Sequence, residues 1–209
     1  MLDTTVVLGT LGAVATGWAA TTVYTFDLHH RLHTDAATGL TNRAGLAVLA
    51  RRATATPARR TGTLGLLLAD VDHFKQINDI HGHEVGTAVL AVLAHRLTAA
   101  CRPGETAVRL HGDEFAIWLG HLPANGRAGR DYARQRAEEI RAGLGGEVRV
   151  GHRRLQPTVS IGAHTTPAAG LSLSALLAGA DTAMYQAKHS RTAIPLHPTP
   201  STAIEQETA

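Results

Sequence analysis

The sequence predicts an α/β domain of the α+β type, in which short apolar strands and amphipathic helices form one core. Two apolar runs flank a polar, glycine-containing turn at residues 111–115, a pattern typical of a β-hairpin. A nearly continuous apolar run at residues 64–69 has the length of a strand buried on both faces. Apolar residues recur at helical spacing over residues 84–100, so helices accompany the strands.

The remaining elements follow in chain order. A short helix with a basic end is expected at residues 44–52, followed by a loop of Thr, Pro and Arg at 53–62. The strand at 64–69 leads into a helical pattern, and the helix at 84–100 stops at a Cys-Arg-Pro-Gly turn. A charged helix at 127–144, a hairpin around Gly151, a strand at 158–163 and a last helix at 173–188 complete the domain.

The hairpin turn carries two adjacent carboxylates, Asp113 and Glu114. A hairpin tip would hold both side chains in one place, and Mg²⁺ prefers one or two carboxylates together with the oxygens of a bound phosphate. An isolated acidic pair at a turn is usually solvated. The metal interpretation therefore depends on a second acidic element.

That second element is the end of the apolar run at residues 64–69, where Asp70 and Asp72 follow. Ligands of open α/β sheets bind at the carboxyl ends of strands. The two side chains share one face if the extended geometry persists, and Asp70 is the better metal candidate because it directly ends the run. Asp72 has an equally good alternative role as the N-cap of the following helix.

Several stretches, in the same order, resemble the GGDEF domain, the catalytic module of diguanylate cyclases. They are DAATGLTNR (35–43), DVDHFKQIND (70–79), GHEVGTAVL (82–90), RLHGDEF (109–115), TVSIGA (158–163) and ADTAMYQAK (180–188). The resemblance implies a palm fold like that of class III nucleotidyl cyclases, with a central, mostly antiparallel sheet flanked by helices. It also implies that two GTP molecules condense into cyclic di-GMP with release of pyrophosphate.

The resemblance assigns a metal and catalytic site. Mg²⁺ (or Mn²⁺) ions would be held by Asp70, the Val71 carbonyl and Asp113, with Glu114 alongside, and Asp113 would also help to remove the hydroxyl proton. It further assigns a group of substrate-binding residues. The phosphates would meet Lys75, Lys188 and the backbone of His73 and Phe74, and the nucleoside would meet Asn78, His83 and Thr87.

Three departures from the family pattern bear on this assignment. Thr87 replaces the aspartate that reads the guanine edge, and one hydroxyl cannot accept from both guanine donors. His111 replaces the first glycine of the signature, which matters if that position needs a positive φ. The closing K-x-x-G-R pattern is shortened to residues 188–191. Two alternatives to a GTP-specific synthase therefore remain: a synthase that also accepts ATP, and a degenerate module that binds nucleotide or a partner without turnover.

Arg102 and Glu105 stand where many family members carry an R-x-x-D product-inhibition site. This resemblance makes them candidate allosteric residues. The alternative, favoured because Pro103 and Gly104 already explain it, is a turn that ends the preceding helix.

The N-terminus predicts a membrane anchor. Residues 4–26 carry no formal charge, and as a helix they would extend about 35 Å, enough for a hydrocarbon core of about 30 Å. Basic residues follow this segment and none precede it, which places the carboxyl side in the cytoplasm. We expect a single-pass protein of the inner (cytoplasmic) membrane; an amphipathic surface helix or a helix packed on the domain are the alternatives.

Within this segment Gly9, Ala13 and Gly17 recur at every fourth residue, a seam that favours close helix–helix contact and a homodimer. The expected organisation is an anchor at 4–26, a linker at 27–34, the catalytic domain at 35–191 and a disordered tail at 192–209. The single cysteine, Cys101, excludes a disulfide framework. Aromatic residues make up only 4% of the chain, so no nucleic-acid groove is expected.

Overall fold

The computed structural model describes residues 32–192. The helices are α1 (Arg43–Ala53), α2 (Phe74–His81), α3 (His83–Ala100), α4 (Gly126–Leu144) and α5 (Leu173–Thr192). The strands are β1 (Thr41–Asn42), β2 (Thr63–Val71), β3 (Thr106–His111), β4 (Glu114–His121), β5 (Val148–Val150), β6 (Arg153–Leu155) and β7 (Val159–Pro167). The loop predicted at residues 53–62 contains a short 3₁₀ helix, Pro57–Arg60.

Five strands form one sheet in the order β1-β3-β4-β2-β7. Only the pairing of β1 with β3 is parallel, and the other three pairings are antiparallel. The prediction of a mostly antiparallel α+β sheet flanked by helices is therefore confirmed. Strands β5 and β6 form the separate hairpin predicted around Gly151.

Strand β2 is buried on both of its faces, as its apolar run predicted. Leu67, Ala69 and Val71 point to the face covered by α3 and α4. Leu64, Leu66 and Leu68 belong to the second core, to which α1 and α5 contribute. This alternation follows from the two-residue period of a strand, and it decides which helix faces each residue at the end of β2.

Arg96 of α3 fixes the end of α4. Its guanidinium donates hydrogen bonds of 2.7–3.3 Å to four successive carbonyl oxygens, those of residues 144–147. The last carbonyls of a helix have no partner within the helix, and a cation there also offsets the negative end of the helix dipole. Arg96 therefore joins α3, through its side chain, to the backbone at the end of α4.

The predicted anchor at residues 4–26 and the predicted tail from residue 193 onward lie outside the described residues. Within residues 32–192, no helix combines the length and the apolar character that crossing a membrane requires.

Candidate active site

The carboxyl end of β2 and the start of β4 bring two carboxylates together. Asp70 and Glu114 are cross-strand partners in the antiparallel pair. Both side chains continue the face of Leu68 and Ala116, which belong to the core beneath α5. Directly opposed residues have Cβ atoms about 5 Å apart, and like charges in that position repel one another.

Lys188, on α5, pairs with this cluster. Its Nζ donates to Asp70 Oδ1 at 2.5 Å, and the two side chains are 40% and 16% exposed. The hydrogen bond and the charge of Asp70 raise the pKa of Lys188. The sequence predicts that Lys188 contacts the phosphates. In this structure its ammonium is hydrogen-bonded to Asp70, which is a predicted metal ligand.

The hairpin turn consists of Gly112 and Asp113, because His111 pairs with Glu114. Gly112 has φ 49°, whereas His111 does not have a positive φ. The backbone therefore accepts histidine at the first position of the signature without left-handed strain. His111 Nε2 lies 3.2 Å from Glu114 Oε2, so the substitution adds a cation, when protonated, beside a site carboxylate.

Burial and crowding disfavour negative charge at the turn. Burial raises the pKa of Asp113, and the charge of Asp70 raises it further against the opposing influence of Lys188 and His111. Burial also raises the pKa of Glu114, where the charges of Asp70, Asp181 and Asp113 add to the effect and His111 opposes it. A cation at this cluster would relieve the repulsion in both cases.

The Val71 carbonyl points to the side of β2 on which Asp113 lies. Asp72 N donates to Thr158 O, so the pairing groups of Asp72 point toward β7 and those of Val71 point to the opposite side. There Val71 N donates to Asp113 O at 3.4 Å. The backbone oxygen of Val71 therefore lies on the side of β2 that carries Asp113, and its role as a metal ligand stays a prediction.

This donor set fits Mg²⁺ or Mn²⁺ only in part. Among residues 32–192, no three His, Cys, Asp or Glu side chains are grouped as a metal site. Mg²⁺ commonly binds through one or two carboxylates plus substrate phosphates. The residues present therefore suit a cation that a nucleotide helps to hold.

The alternative N-cap role of Asp72 is wrong. The N-cap of α2 is His73, which makes no side-chain cap hydrogen bond and has a left-handed backbone with φ 57°. Asp72 instead accepts from Thr158 Oγ1 and Ser160 Oγ, each at 2.7 Å. Its carboxylate ties the loop after β2 to β7, on the face that it shares with Asp70.

The start of α2 presents the residues predicted to meet phosphates. His73 and Lys75 are exposed, and Phe74 is half-buried against the core. Left-handed backbone is costly for a non-glycine residue, and His73 is the only such residue with positive φ in the described part of the chain. The turn at His73 directs the chain from β2 into the helix.

The predicted nucleoside residues lie at the junction of α2 and α3. Asn78 packs against Gly86, where any Cβ would overlap its Oδ1. His83 and Thr87 are exposed and four residues apart, so they share one face of α3. The structure thus brings Asn78 close to the turn of α3 that carries Thr87.

Glu105 has a structural partner. It forms a two-point ion pair with Arg136, through Nε at 2.9 Å and Nη2 at 2.7 Å, and both side chains are about 5% exposed or less. Arg102 pairs with Glu139 at 2.8 Å. Helix α3 ends just before this segment, at Ala100. The network supports the interpretation as a helix-ending turn, and product binding at Arg102 and Glu105 stays a prediction.

Arg109 is a positioning residue that the sequence did not single out. Its Nε and Nη2 donate to Gly112 O at 3.1 and 2.8 Å, and its Nη1 donates to Asp35 Oδ1 at 2.9 Å. Thr38 also donates to Asp35, and these bonds hold the Asp35 pKa below its usual value despite burial. The motif at residues 35–43 is thereby linked, through Asp35 and Arg109, to the turn that carries Asp113.

Comparison with known families agrees with this geometry. The model of the family described as "Diguanylate cyclase, GGDEF domain" matches residues 32–193. The chain belongs to the GGDEF family. The opposed carboxylates, the signature turn and the start of α2 are therefore parts of a GGDEF domain.

Curated relatives of this GGDEF domain include diguanylate cyclases. Diguanylate cyclase TpbB of Pseudomonas aeruginosa is 35% identical over 163 residues, which cover 78% of this chain and 36% of the relative. Diguanylate cyclase DgcM of Escherichia coli is 32% identical over 163 residues, covering 78% and 38%. The chain spans little more than a third of the length of these proteins.

Solved structures show the same fold. The GGDEF domain of TpbB from Pseudomonas aeruginosa superposes with a TM-score of 0.66 at 34% identity, covering 76% of this chain and 90% of that one. The coiled coil and GGDEF domain of DgcB from Caulobacter crescentus, in complex with c-di-GMP, gives a TM-score of 0.75 at 24% identity, covering 88% and 95%. The latter likeness concerns the fold alone.

Proposed function

We propose that this GGDEF domain is a diguanylate cyclase that condenses two GTP into cyclic di-GMP and releases two pyrophosphates. The observation that carries the proposal is the opposition of Asp70 and Glu114, with Asp113 in the adjacent turn. Neighbouring like charges destabilise the fold unless a ligand uses them. The raised pKa values of Asp113 and Glu114 are typical of a functional site.

In each half-reaction, the 3′-oxygen of one GTP forms a bond to the α-phosphorus of the other, and the bond from that phosphorus to pyrophosphate breaks. Asp113, whose carboxyl has a raised pKa, accepts the hydroxyl proton. Asp70, Asp113 and the Val71 carbonyl would hold Mg²⁺ or Mn²⁺, with Glu114 alongside. When bound, the cation supplies charge stabilisation for the attacking and leaving oxygens.

The remaining contacts orient the triphosphate. Lys75 and Lys188 supply cations, and the free amides at the start of α2 suit anionic oxygens. Two such half-sites must face one another to close the ring, so the active species is a homodimer with twofold symmetry. We place the membrane anchor at residues 4–26, with the catalytic domain on the cytoplasmic side.

Thr87 supports a second candidate, a synthase with relaxed purine selectivity. It is exposed on α3, next to Gly86, against which Asn78 packs, and it offers one hydroxyl where a carboxylate would accept twice. The competing interpretation is a degenerate module without catalytic activity, and the product assay described next tests both candidates.

The test is to incubate the protein with Mg²⁺ and GTP, ATP or both, and to identify products by mass spectrometry. We expect cyclic di-GMP from GTP. Asp70→Asn and Asp113→Asn should each lower its formation by at least about a hundredfold. Both remove a carboxylate that would hold the cation, and Asp113→Asn also removes the proton acceptor, a role that contributes about 10²–10⁴-fold. Near-normal turnover in either variant, with an unchanged fold, would remove the mechanism. Absence of any cyclic dinucleotide from wild type would favour the degenerate module.

A further inference from the structure

Lys188 and a divalent cation compete for one partner. Lys188 Nζ lies 2.5 Å from Asp70 Oδ1, and the Asp70 side chain is only 16% exposed. Protein therefore covers most of this carboxylate, and the ammonium occupies one of its two oxygens. Asp70 is also the carboxylate that the proposed function assigns to the cation.

Lys188 acts on more than Asp70. Its charge opposes the rise in the pKa of Asp113, and the charges of Asp70, Asp72 and Asp113 all favour its protonated form. Lys188 is thus a counter-ion for the carboxylate cluster. A second cation that enters the cluster meets this positive charge at close range.

The protein side chains leave the cation site incomplete. In the part of the chain that the structure describes, no group of three acidic, His or Cys side chains has the arrangement to hold a metal ion by itself. Phosphate oxygens would complete the coordination that Mg²⁺ or Mn²⁺ requires. The same triphosphate would offer Lys188 a stronger anion than one carboxylate, and the flexible lysine stem allows the ammonium to move.

We infer that Lys188 sets the order in which the site is loaded, holding Asp70 until a triphosphate draws the ammonium away and a divalent cation takes its place. This inference rests on the proposed function and assigns Lys188 a positioning role beyond phosphate contact. It makes cation affinity depend on nucleotide, and by linkage nucleotide affinity depends on the cation.

The test is a Mn²⁺ titration of the full chain without nucleotide, in which free Mn²⁺ is measured by electron paramagnetic resonance. We expect Lys188→Met to bind Mn²⁺ at least about tenfold more tightly than wild type, because a like charge near the cation is removed. A variant that is merely damaged would bind less tightly. Lys188→Gln, which keeps a polar head group, should show the same gain.

Matched control variants separate the effect of Lys188 on Mn²⁺ affinity from a general effect of net charge. Lys188→Arg keeps the cation and should bind Mn²⁺ as wild type does. Lys75→Met removes an exposed cation from α2 and should also leave nucleotide-free affinity unchanged. Asp70→Asn in the Lys188→Met background should abolish the gain.

A second titration adds a non-hydrolysable GTP analogue. The analogue should tighten Mn²⁺ binding more in wild type than in Lys188→Met, because only wild type must first release Asp70. Equal nucleotide-free affinities in wild type and Lys188→Met overturn the inference, as does a lack of Mn²⁺ binding in the variant. Neither result bears on cyclic di-GMP formation, which the product assay measures separately.

Discussion

Thr87 is the residue at which the predicted site departs from the family in a way that bears on substrate choice. Guanine presents two hydrogen-bond donors on its edge, and one Thr87 hydroxyl facing that edge would satisfy only one. We expect Thr87→Asp to raise the preference for GTP over ATP by roughly tenfold or more, since a bidentate base contact is worth about 1–3 kcal/mol. The ratio of kcat/KM values for the two nucleotides measures the change.

The matched control is Ala91→Asp. Ala91 is exposed on α3, one turn beyond Thr87, so it adds the same charge to the same helix without reaching the base. An unchanged GTP/ATP ratio in Thr87→Asp would show that Thr87 does not face the purine.

Cys101 is predicted to be an unreactive thiol. Burial, and after it the charge of Glu105, raises the pKa of Cys101 to about 11, with Arg136 opposing. Because the thiolate is the reactive species, alkylation by iodoacetamide at pH 8 should be roughly a hundredfold slower than for an unhindered thiol. Unfolding in urea should restore the normal rate. Rapid alkylation of the folded protein would contradict the burial of this side chain.

Individual residues also show where sequence reasoning reached its limit. The metal candidates Asp70 and Asp113 were found because each ends a local pattern, a strand or a hairpin. The partners of the site are separated along the chain: Lys188 from Asp70 by 118 positions, and Ser160 from Asp72 by 88. A local sequence pattern cannot distinguish an Asp that caps the next helix from one that accepts hydrogen bonds from a neighbouring strand. For this reason the alternative N-cap role of Asp72 was wrong.

At the scale of elements, the sequence predicted each of the helices α1 to α5 and all of the strands except β1, but it predicted a loop where the 3₁₀ helix Pro57–Arg60 lies. Strand β2 was recognisable because burial on both faces leaves an uninterrupted apolar run. Strand β1 has only two residues and carries no such pattern. Its position depends on pairing with β3, which only the tertiary fold establishes.

Arg96 is one of the contacts that join α3 to α4. Arg96→Ala should lower the free energy of unfolding by about 1–3 kcal/mol, because the carbonyls at the end of α4 lose a charged donor. Urea denaturation measures the loss. Arg127→Ala, which removes a 90% exposed arginine from α4, should change stability by less than about 0.5 kcal/mol. Equal effects of the two substitutions would show that the hydrogen bonds of Arg96 make no specific contribution to the free energy of unfolding.

For the whole molecule, the segment at residues 4–26 combines two predicted roles, anchoring and dimerisation. Deleting residues 1–26 should move the protein from the membrane to the soluble fraction and lower its specific activity at dilute concentration. Gly9→Leu with Gly17→Leu should keep the protein in the membrane but lower activity, because bulky side chains separate the helices. Full-length protein that is soluble without detergent would contradict the anchor.

The strand order of the sheet also has a consequence for folding during synthesis. Strand β2 lies between β4 and β7, and β7 begins about ninety residues after β2 ends. At a synthesis rate of about 5–20 residues per second, a nascent chain holds this apolar strand with one edge unpaired for roughly 4 to 18 s. An unpaired apolar edge is a site of aggregation. Slowing translation between residues 71 and 159 should therefore lower the yield of correctly folded protein more than the same delay after residue 192.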